Sequence, residues 1–74
     1  MRVAILTISD AGARGERQDT SGDTIAAWIM ARGGVLGARA TVPDETSRIA
    51  GKLARWADST EIDVVLTTGG TGLT

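Results

Sequence analysis

The segment Arg2–Ile8, with the sequence RVAILTI, is a short apolar run without helical spacing. It is β-branched at Val3, Ile5, Thr7 and Ile8. A continuous apolar run of this length is typical of a strand that is buried on both faces, as in a parallel sheet. We therefore predict a central strand here, and the rest of the chain is interpreted around it.

Two helical patterns follow this strand. The residues TSGD at positions 20–23 fit a capping box, which predicts a helix with Thr20 as its N-cap and its end at the glycine pair 33–34. A second helix is predicted over residues 45–58, with Asp44 at its N-cap position. Both tryptophans, Trp28 and Trp56, fall on the apolar stripes of these helices and are predicted to be core.

Two more strands complete the pattern. Val35–Val42 is weaker, and its Gly37 and Arg39 favour an edge position; residues 62–67, IDVVLT, form a third apolar run. The β-α-β-α-β order predicts a parallel sheet with right-handed crossovers and strand order 2-1-3. At 74 residues this is one incomplete α/β domain, which we expect further sequence or a partner subunit to complete.

The composition excludes several kinds of chemistry. The chain has no Cys and no His, so it offers no disulfide, no Cys/His zinc site, no thiol nucleophile and no imidazole base. Its carboxylates, hydroxyls and backbone N–H groups suit phosphates and hard cations instead. A net charge of −1 without a basic run argues against nucleic acid, and no apolar run is long enough for a membrane span. We expect a soluble, intracellular protein.

The predicted fold brings three segments to one edge. Residues 9–19, 43–44 and 68–72 each follow the carboxyl end of a strand, and ligands of parallel sheets bind at that edge. The first of these segments is longer than most βα connections, which makes it a candidate functional loop.

The TGGTG segment at residues 68–72 carries the most information. Its glycines allow positive φ and close approach to a ligand, its N–H groups can form an anion-binding nest, and Thr68 and Thr71 can add hydroxyl donors. A plain flexible turn is the alternative. The standard nucleotide motifs do not fit, because Lys52, the only lysine, lies mid-helix and the first strand is followed by Ser9–Asp10 rather than by glycines.

Each acid at this edge has two interpretations. Asp44 is either a helix cap or a carboxylate that holds Mg²⁺ or orients a reacting phosphate, and both roles are compatible. Asp10 and Asp19 are either solvated loop acids or contacts to a ribose or cation. Ser21 and Gly22 either start the helix or offer N–H groups to an anion.

Four motifs in this order resemble one family: ILTISD, DTSGD, VPDE and VVLTTGGTGLT. The chain is similar throughout to the MogA/MoaB-type molybdopterin adenylyltransferases, which include the gephyrin G domains. The resemblance implies that residues 1–74 are the N-terminal part of a single molybdopterin-binding domain with a three-layer α/β/α fold. It also implies a protein that is cytoplasmic in bacteria and usually a homotrimer.

The resemblance further implies a reaction and its residues. Mg²⁺-ATP adenylylates the terminal phosphate of molybdopterin and pyrophosphate is released, after which the product passes to a molybdenum insertase. Asp44 matches the family's catalytic aspartate, which implies a ligand for Mg²⁺ as well. The residues that match the pterin-phosphate loop, together with the preceding threonine, are Thr68, Gly69, Gly70, Thr71 and Gly72. The residues that match the nucleotide side are Ser9, Asp10, Asp19, Ser21 and Gly22.

Two further expectations follow from the resemblance. Family members continue into a Pro-Arg-Asp segment that supplies a second acidic residue, so the 74-residue piece alone is expected to be inactive. The alternative function is a non-catalytic relative that binds pterin or acts as an oligomeric scaffold, because a shared fold does not guarantee activity.

Overall fold

A computed structural model describes residues 1–69, and the predictions for Gly70, Thr71 and Gly72 lie outside them. The described elements alternate as the sequence predicts, apart from one short added helix. In chain order they are β1 (Arg2–Ile8), α1 (Asp10–Ala13), α2 (Thr20–Ala31), β2 (Val35–Val42), α3 (Thr46–Ala57) and β3 (Val64–Gly69).

The three strands form a parallel sheet in the order β2-β1-β3, which confirms the predicted topology. β1 pairs with both neighbours, and its last residue, Ile8, is level with Val42 on one side and Gly69 on the other. The register between β1 and β2 shifts by one residue at Gly37, which has no paired residue on β1. The strand ends nevertheless meet at one edge.

Alternate residues of β1 supply the two halves of the core. Val3 and Ile5 pack with Ala26 and Ile29 of α2 on one face of the sheet. Ala4 and Leu6 pack with Val42 and with Trp56 of α3 on the other face. A strand covered on both faces is apolar where its side chains enter the core, which accounts for the VAIL run at residues 3–6. The result is the predicted α/β/α layering.

The two tryptophans differ in their burial. Trp56 is buried, as predicted, but the prediction for Trp28 is wrong because this residue is 53% exposed. α2 packs on the sheet through its small residues Gly22 and Ala26 together with Ile29, and Trp28 lies outside that narrow stripe. Its ring contacts the guanidinium of Arg32, 4.5 Å from the ring centroid, beside a shallow groove between α2 and β3.

The predicted range of the third strand, residues 62–67, is displaced by two residues. Asp63 uses its carboxylate to accept the backbone N–H of Arg2 at 2.7 Å, while its own N–H donates to the Arg2 carbonyl at 2.8 Å. The side chain of Asp63 thus takes the place of a backbone partner, and regular pairing begins at Val64. Ile62 packs against the Trp56 cluster instead. Thr68 and Gly69 therefore belong to the strand.

Gly69 ends β3 in a conformation that favours glycine. Its φ is +82°, and a Cβ at this position would collide with the carbonyl oxygen of Ile8 on the neighbouring strand. The positive φ expected of the glycine segment is present here, and the close approach seen at Gly69 is to the neighbouring strand.

None of the helices described within residues 1–69 is long and apolar enough to cross a bilayer.

We predict that Gly69→Ala lowers the free energy of unfolding by about 1–3 kcal/mol, because the new methyl group adds a clash to a strained φ. Gly51→Ala is the matched control: Gly51 lies in α3 with open space around it, so alanine should raise stability by about 0.5–1 kcal/mol. Urea denaturation measures both. Equal effects of the two substitutions would contradict the role given to Gly69.

Candidate functional site

The carboxyl edge of the sheet brings together parts of all three predicted segments. Because Ile8 is level with both Val42 and Gly69, the carboxyl ends of the three strands lie side by side. Ser9 donates its N–H to the Val42 carbonyl at 2.8 Å, which ties the first segment to the second. The geometry of a shared edge therefore matches the expectation from topology.

The first segment is not entirely a loop. Residues Asp10–Ala13 form α1, one helical turn that the two glycines of the segment obscured in the sequence. Ser9 is its N-cap, and its Oγ accepts the N–H of Gly12 at 3.0 Å. Asp10 begins the turn, and its Oδ1 accepts the backbone N–H of Asp44 at 2.8 Å. Ser9 and Asp10 thus lie at the edge, and the side chain of each already accepts one hydrogen bond.

Asp44 does not cap α3, so that interpretation is wrong. The helix begins at Thr46, one residue later than predicted, and Glu45 occupies the N-cap position without a side-chain capping bond. Asp44 is exposed, and its carboxylate makes no hydrogen bond or ion pair with any residue in the range 1–69. The capping interpretation is thus removed, and Asp44 is an exposed carboxylate at the carboxyl edge of the sheet.

Asp19 is bonded within the fold. Its carboxylate accepts the hydroxyl of Thr7 at 2.7 Å and the backbone N–H of Gly22 at 3.0 Å, and it pairs with Arg39 at 3.1 Å. Arg39 also contacts Asp23 at 2.7 Å. The Asp19 side chain is only 16% exposed. It therefore joins β1, α2 and β2.

These contacts correct the predicted start of α2. The N-cap is Asp19, and Thr20 is the first helical residue rather than the cap. The capping-box pattern relies on Thr20 and Asp23 alone, whereas Asp19 is selected by partners far away in the sequence. Gly22 is buried directly against the Asp19 carboxylate, where a Cβ would collide with it. Ser21 is exposed on the first turn of the helix.

The environment of Asp19 favours its charged form. Burial alone would raise the pKa of Asp19, but the hydrogen bonds from Thr7, Gly22 and Arg39, with the positive charge of Arg39, together hold it below its ordinary value of 3.8. Stability from a lowered pKa is present above the unfolded value and is lost as the pH falls through the folded one. The Asp19 contacts should thus weaken below about pH 3.8.

Two partners in this network were not predicted as functional or structural contacts. Thr7 is a buried polar residue inside the apolar strand, and Arg39 was interpreted only as a sign of an edge strand. A hydroxyl within an apolar run and a cation on a strand are signals that each needs a polar partner. They do not say which partner, because that depends on the packing of three elements.

The third segment is described only in part. Thr68 pairs with Thr7, and Gly69 pairs with Ile8, so both lie at the carboxyl edge. Among the described residues, no group of three or more acidic, His or Cys side chains is arranged to hold a metal ion. The edge thus offers a free carboxylate, hydroxyls and a glycine strand end.

We predict that Asp19→Asn lowers the free energy of unfolding by about 1–3 kcal/mol near pH 7, because it removes the charge paired with Arg39 and weakens three hydrogen bonds. The difference from the unsubstituted chain should shrink as the pH falls below about 3.8, because Asp19 then binds a proton in the unfolded chain before it does so in the fold, where its pKa is lower. Urea denaturation near pH 7 and below about pH 3.8 measures this difference in the free energy of unfolding.

Glu61→Gln is the control for this prediction, because Glu61 is exposed and its carboxylate makes no ion pair within residues 1–69. It should unfold like the unsubstituted chain. If the free energy of unfolding of Asp19→Asn is lower by the same amount at every pH, the carboxylate charge is not the source of the difference.

Comparison with known proteins identifies relatives of the whole chain. Residues 4–74 match the family model described as "Probable molybdopterin binding domain". The chain is 40% identical over 73 residues to molybdenum cofactor biosynthesis protein B of Escherichia coli K12. The aligned region covers 99% of this chain and 42% of that protein. The chain is 38% identical, with the same coverage, to a Pyrococcus furiosus protein named molybdopterin adenylyltransferase.

A solved structure agrees with the sequence relatives. The crystal structure of the molybdopterin biosynthesis enzyme MoaB from Thermus thermophilus superimposes with a TM-score of 0.87 and 46% identity, over 99% of this chain and 46% of that one. The chain thus spans less than half the length of these relatives. The family model, the relatives and the fold confirm the resemblance carried by the motifs, and the chain belongs to the family described as probable molybdopterin binding domain.

Proposed function

We propose that this chain forms the amino-terminal part of a domain that adenylylates molybdopterin during molybdenum cofactor biosynthesis. The observation that carries the proposal is the exposed Asp44 carboxylate, which α3 does not use, at the edge where β3 ends in Gly69. Relatives named for molybdenum cofactor biosynthesis and for molybdopterin adenylyltransferase support the assignment.

The reaction is a transfer of an adenylyl group. An oxygen of the terminal phosphate of molybdopterin forms a bond to the α-phosphorus of ATP, the bond from that phosphorus to the bridging oxygen of the β-phosphate breaks, and pyrophosphate leaves. Such a transfer depends mainly on positioning and on electrostatic stabilisation of the phosphates. It needs neither a thiol nor an imidazole, which fits a chain without Cys and His.

The residues divide between the two substrates. We assign the pterin phosphate to the segment that begins with Thr68 and Gly69, where backbone N–H groups and threonine hydroxyls suit a phosphate. We assign the nucleotide side to Ser9 and Ser21. Asp19 and Gly22 are bonded to each other, so they serve the nucleotide by fixing the amino end of α2. Asp44 orients the reacting phosphate.

The donor set suits Mg²⁺ that arrives with the nucleotide. Mg²⁺ is commonly held by one or two carboxylates together with substrate phosphates and water, rather than by a complete protein cage. The exposed Asp44 carboxylate fits that arrangement, whereas no three-residue acidic cluster exists within residues 1–69. Asp44 would hold the ion, which neutralises phosphate charge when it is bound.

The proposal extends to the setting of the domain. By family resemblance we place it in the cytoplasm as a homotrimer that passes its adenylylated product to a molybdenum insertase. The relatives are more than twice as long as this chain, so we assign turnover to the complete domain and binding contacts to this part.

We predict that Asp44→Asn lowers adenylyl transfer by about 10²-fold or more, because it removes the carboxylate that positions the phosphates. The test uses a chimera in which this chain replaces the matching part of the Pyrococcus furiosus relative, with that relative unaltered as the positive control. Pyrophosphate release from ATP and molybdopterin measures the rate.

Glu45→Gln is the matched control, since it removes the neighbouring exposed carboxylate, and it should retain activity. Unchanged turnover in Asp44→Asn would overturn the assignment of Asp44. Binding of molybdopterin by the chimera without pyrophosphate release would favour the alternative, a non-catalytic pterin-binding relative.

A further inference from the structure

We propose that Asp10 is a positioning residue that sets the place of Asp44 through its backbone. The Oδ1 atom of Asp10 accepts the Asp44 N–H at 2.8 Å, across 34 residues of sequence. The inference rests on the proposed function, because it is the placement of the Asp44 carboxylate that gives this contact its importance.

Asp10 is itself held in place. It is the first residue of α1, whose N-cap Ser9 accepts the Gly12 N–H at 3.0 Å. Ser9 also donates its N–H to the Val42 carbonyl at 2.8 Å, so the turn is fixed to the end of β2. Asp10 therefore offers its carboxylate from a supported backbone, which is what a positioning group requires.

The segment that carries Asp44 has few other supports. Pro43 has no N–H to donate. The Glu45 N–H returns to the Pro43 carbonyl at 2.8 Å, within the segment itself, and the Glu45 side chain does not cap α3. For the Asp44 backbone, Asp10 is the hydrogen-bond partner outside its own segment in the described part of the chain.

The chemistry of the contact separates positioning from a charge-based role. An N–H donor needs only an acceptor oxygen, which an asparagine amide also supplies. A cation or a nucleotide contact that depends on negative charge would not accept that replacement. Asp10→Asn should thus preserve the positioning, whereas Asp10→Ala should remove it.

The first measurement is hydrogen exchange at the Asp44 amide in the chimera with the Pyrococcus furiosus relative. We expect Asp10→Ala to speed this exchange on the order of tenfold, and Asp10→Asn to leave it within about threefold, because only alanine removes the acceptor. The Ser9 amide, which bonds to Val42, reports in the same spectra that the edge remains folded. Unchanged Asp44 exchange in Asp10→Ala would overturn the proposal.

The second measurement is adenylyl transfer in the chimera. Asp10→Ala should lower kcat by about 10-fold to 10²-fold with little change in the KM for ATP, because the Asp44 carboxylate is misplaced while nucleotide contacts remain. Asp10→Asn should restore most of the rate. Glu16→Ala, which removes an exposed acid paired with Arg14 in the same segment, is the control and should leave kcat unchanged.

The two measurements separate this inference from the proposed function. If Asp10→Asn is as slow as Asp10→Ala, the charge of Asp10 matters and the positioning role is wrong. If Asp44→Asn is fully active, the proposed function of Asp44 fails, while faster Asp44 exchange in Asp10→Ala still supports the contact itself.

Discussion

The double pairing of β1 is the constraint on which the other elements depend. β1 is hydrogen-bonded along both edges and buried on both faces, so β2, β3, α2 and α3 are all placed relative to it. Its register makes Val42 and Gly69 level with Ile8. The three strand ends therefore lie side by side, and the hydrogen bonds of Ser9 and Asp10 then join the first candidate segment to the second.

Asp19 supplies the polar counterpart of that apolar arrangement. Burying a hydroxyl and a carboxylate in or near a core is costly unless each is bonded. Thr7 and Asp19 satisfy each other, and the N–H groups of α2 and the guanidinium of Arg39 complete the set. No buried polar side-chain atom in the described residues lacks a partner. The contacts join the centre of the sheet to its edge strand and to the start of a helix.

The sequence predicted the features that depend on local pattern. β1 and β2 have the predicted bounds because an apolar run and a proline mark them directly. Some of the wrong predictions concern helix and strand boundaries that depend on contacts with residues distant in the sequence. Asp19 rather than Thr20 caps α2 because Thr7 and Arg39 select it, and β3 starts late because Arg2 bonds the Asp63 side chain. Trp28 was misplaced because helical spacing defines a stripe without saying which side faces the sheet.

The sequence motifs indicate where the candidate site lies, but they do not indicate what each acid does there. Asp10, Asp19 and Asp44 all follow or flank strand ends, and their spacing alone gives no reason to treat them differently. In the structure, the hydrogen bonds of the three acids distinguish them. Asp19 is fully engaged within it, one oxygen of Asp10 is committed to a backbone N–H, and the carboxylate of Asp44 is left exposed. A carboxylate that stabilises the fold is a poor ligand for a metal ion, because releasing it costs the interactions that it makes. The contacts of the three acids therefore rank them as candidates, and Asp44 ranks first.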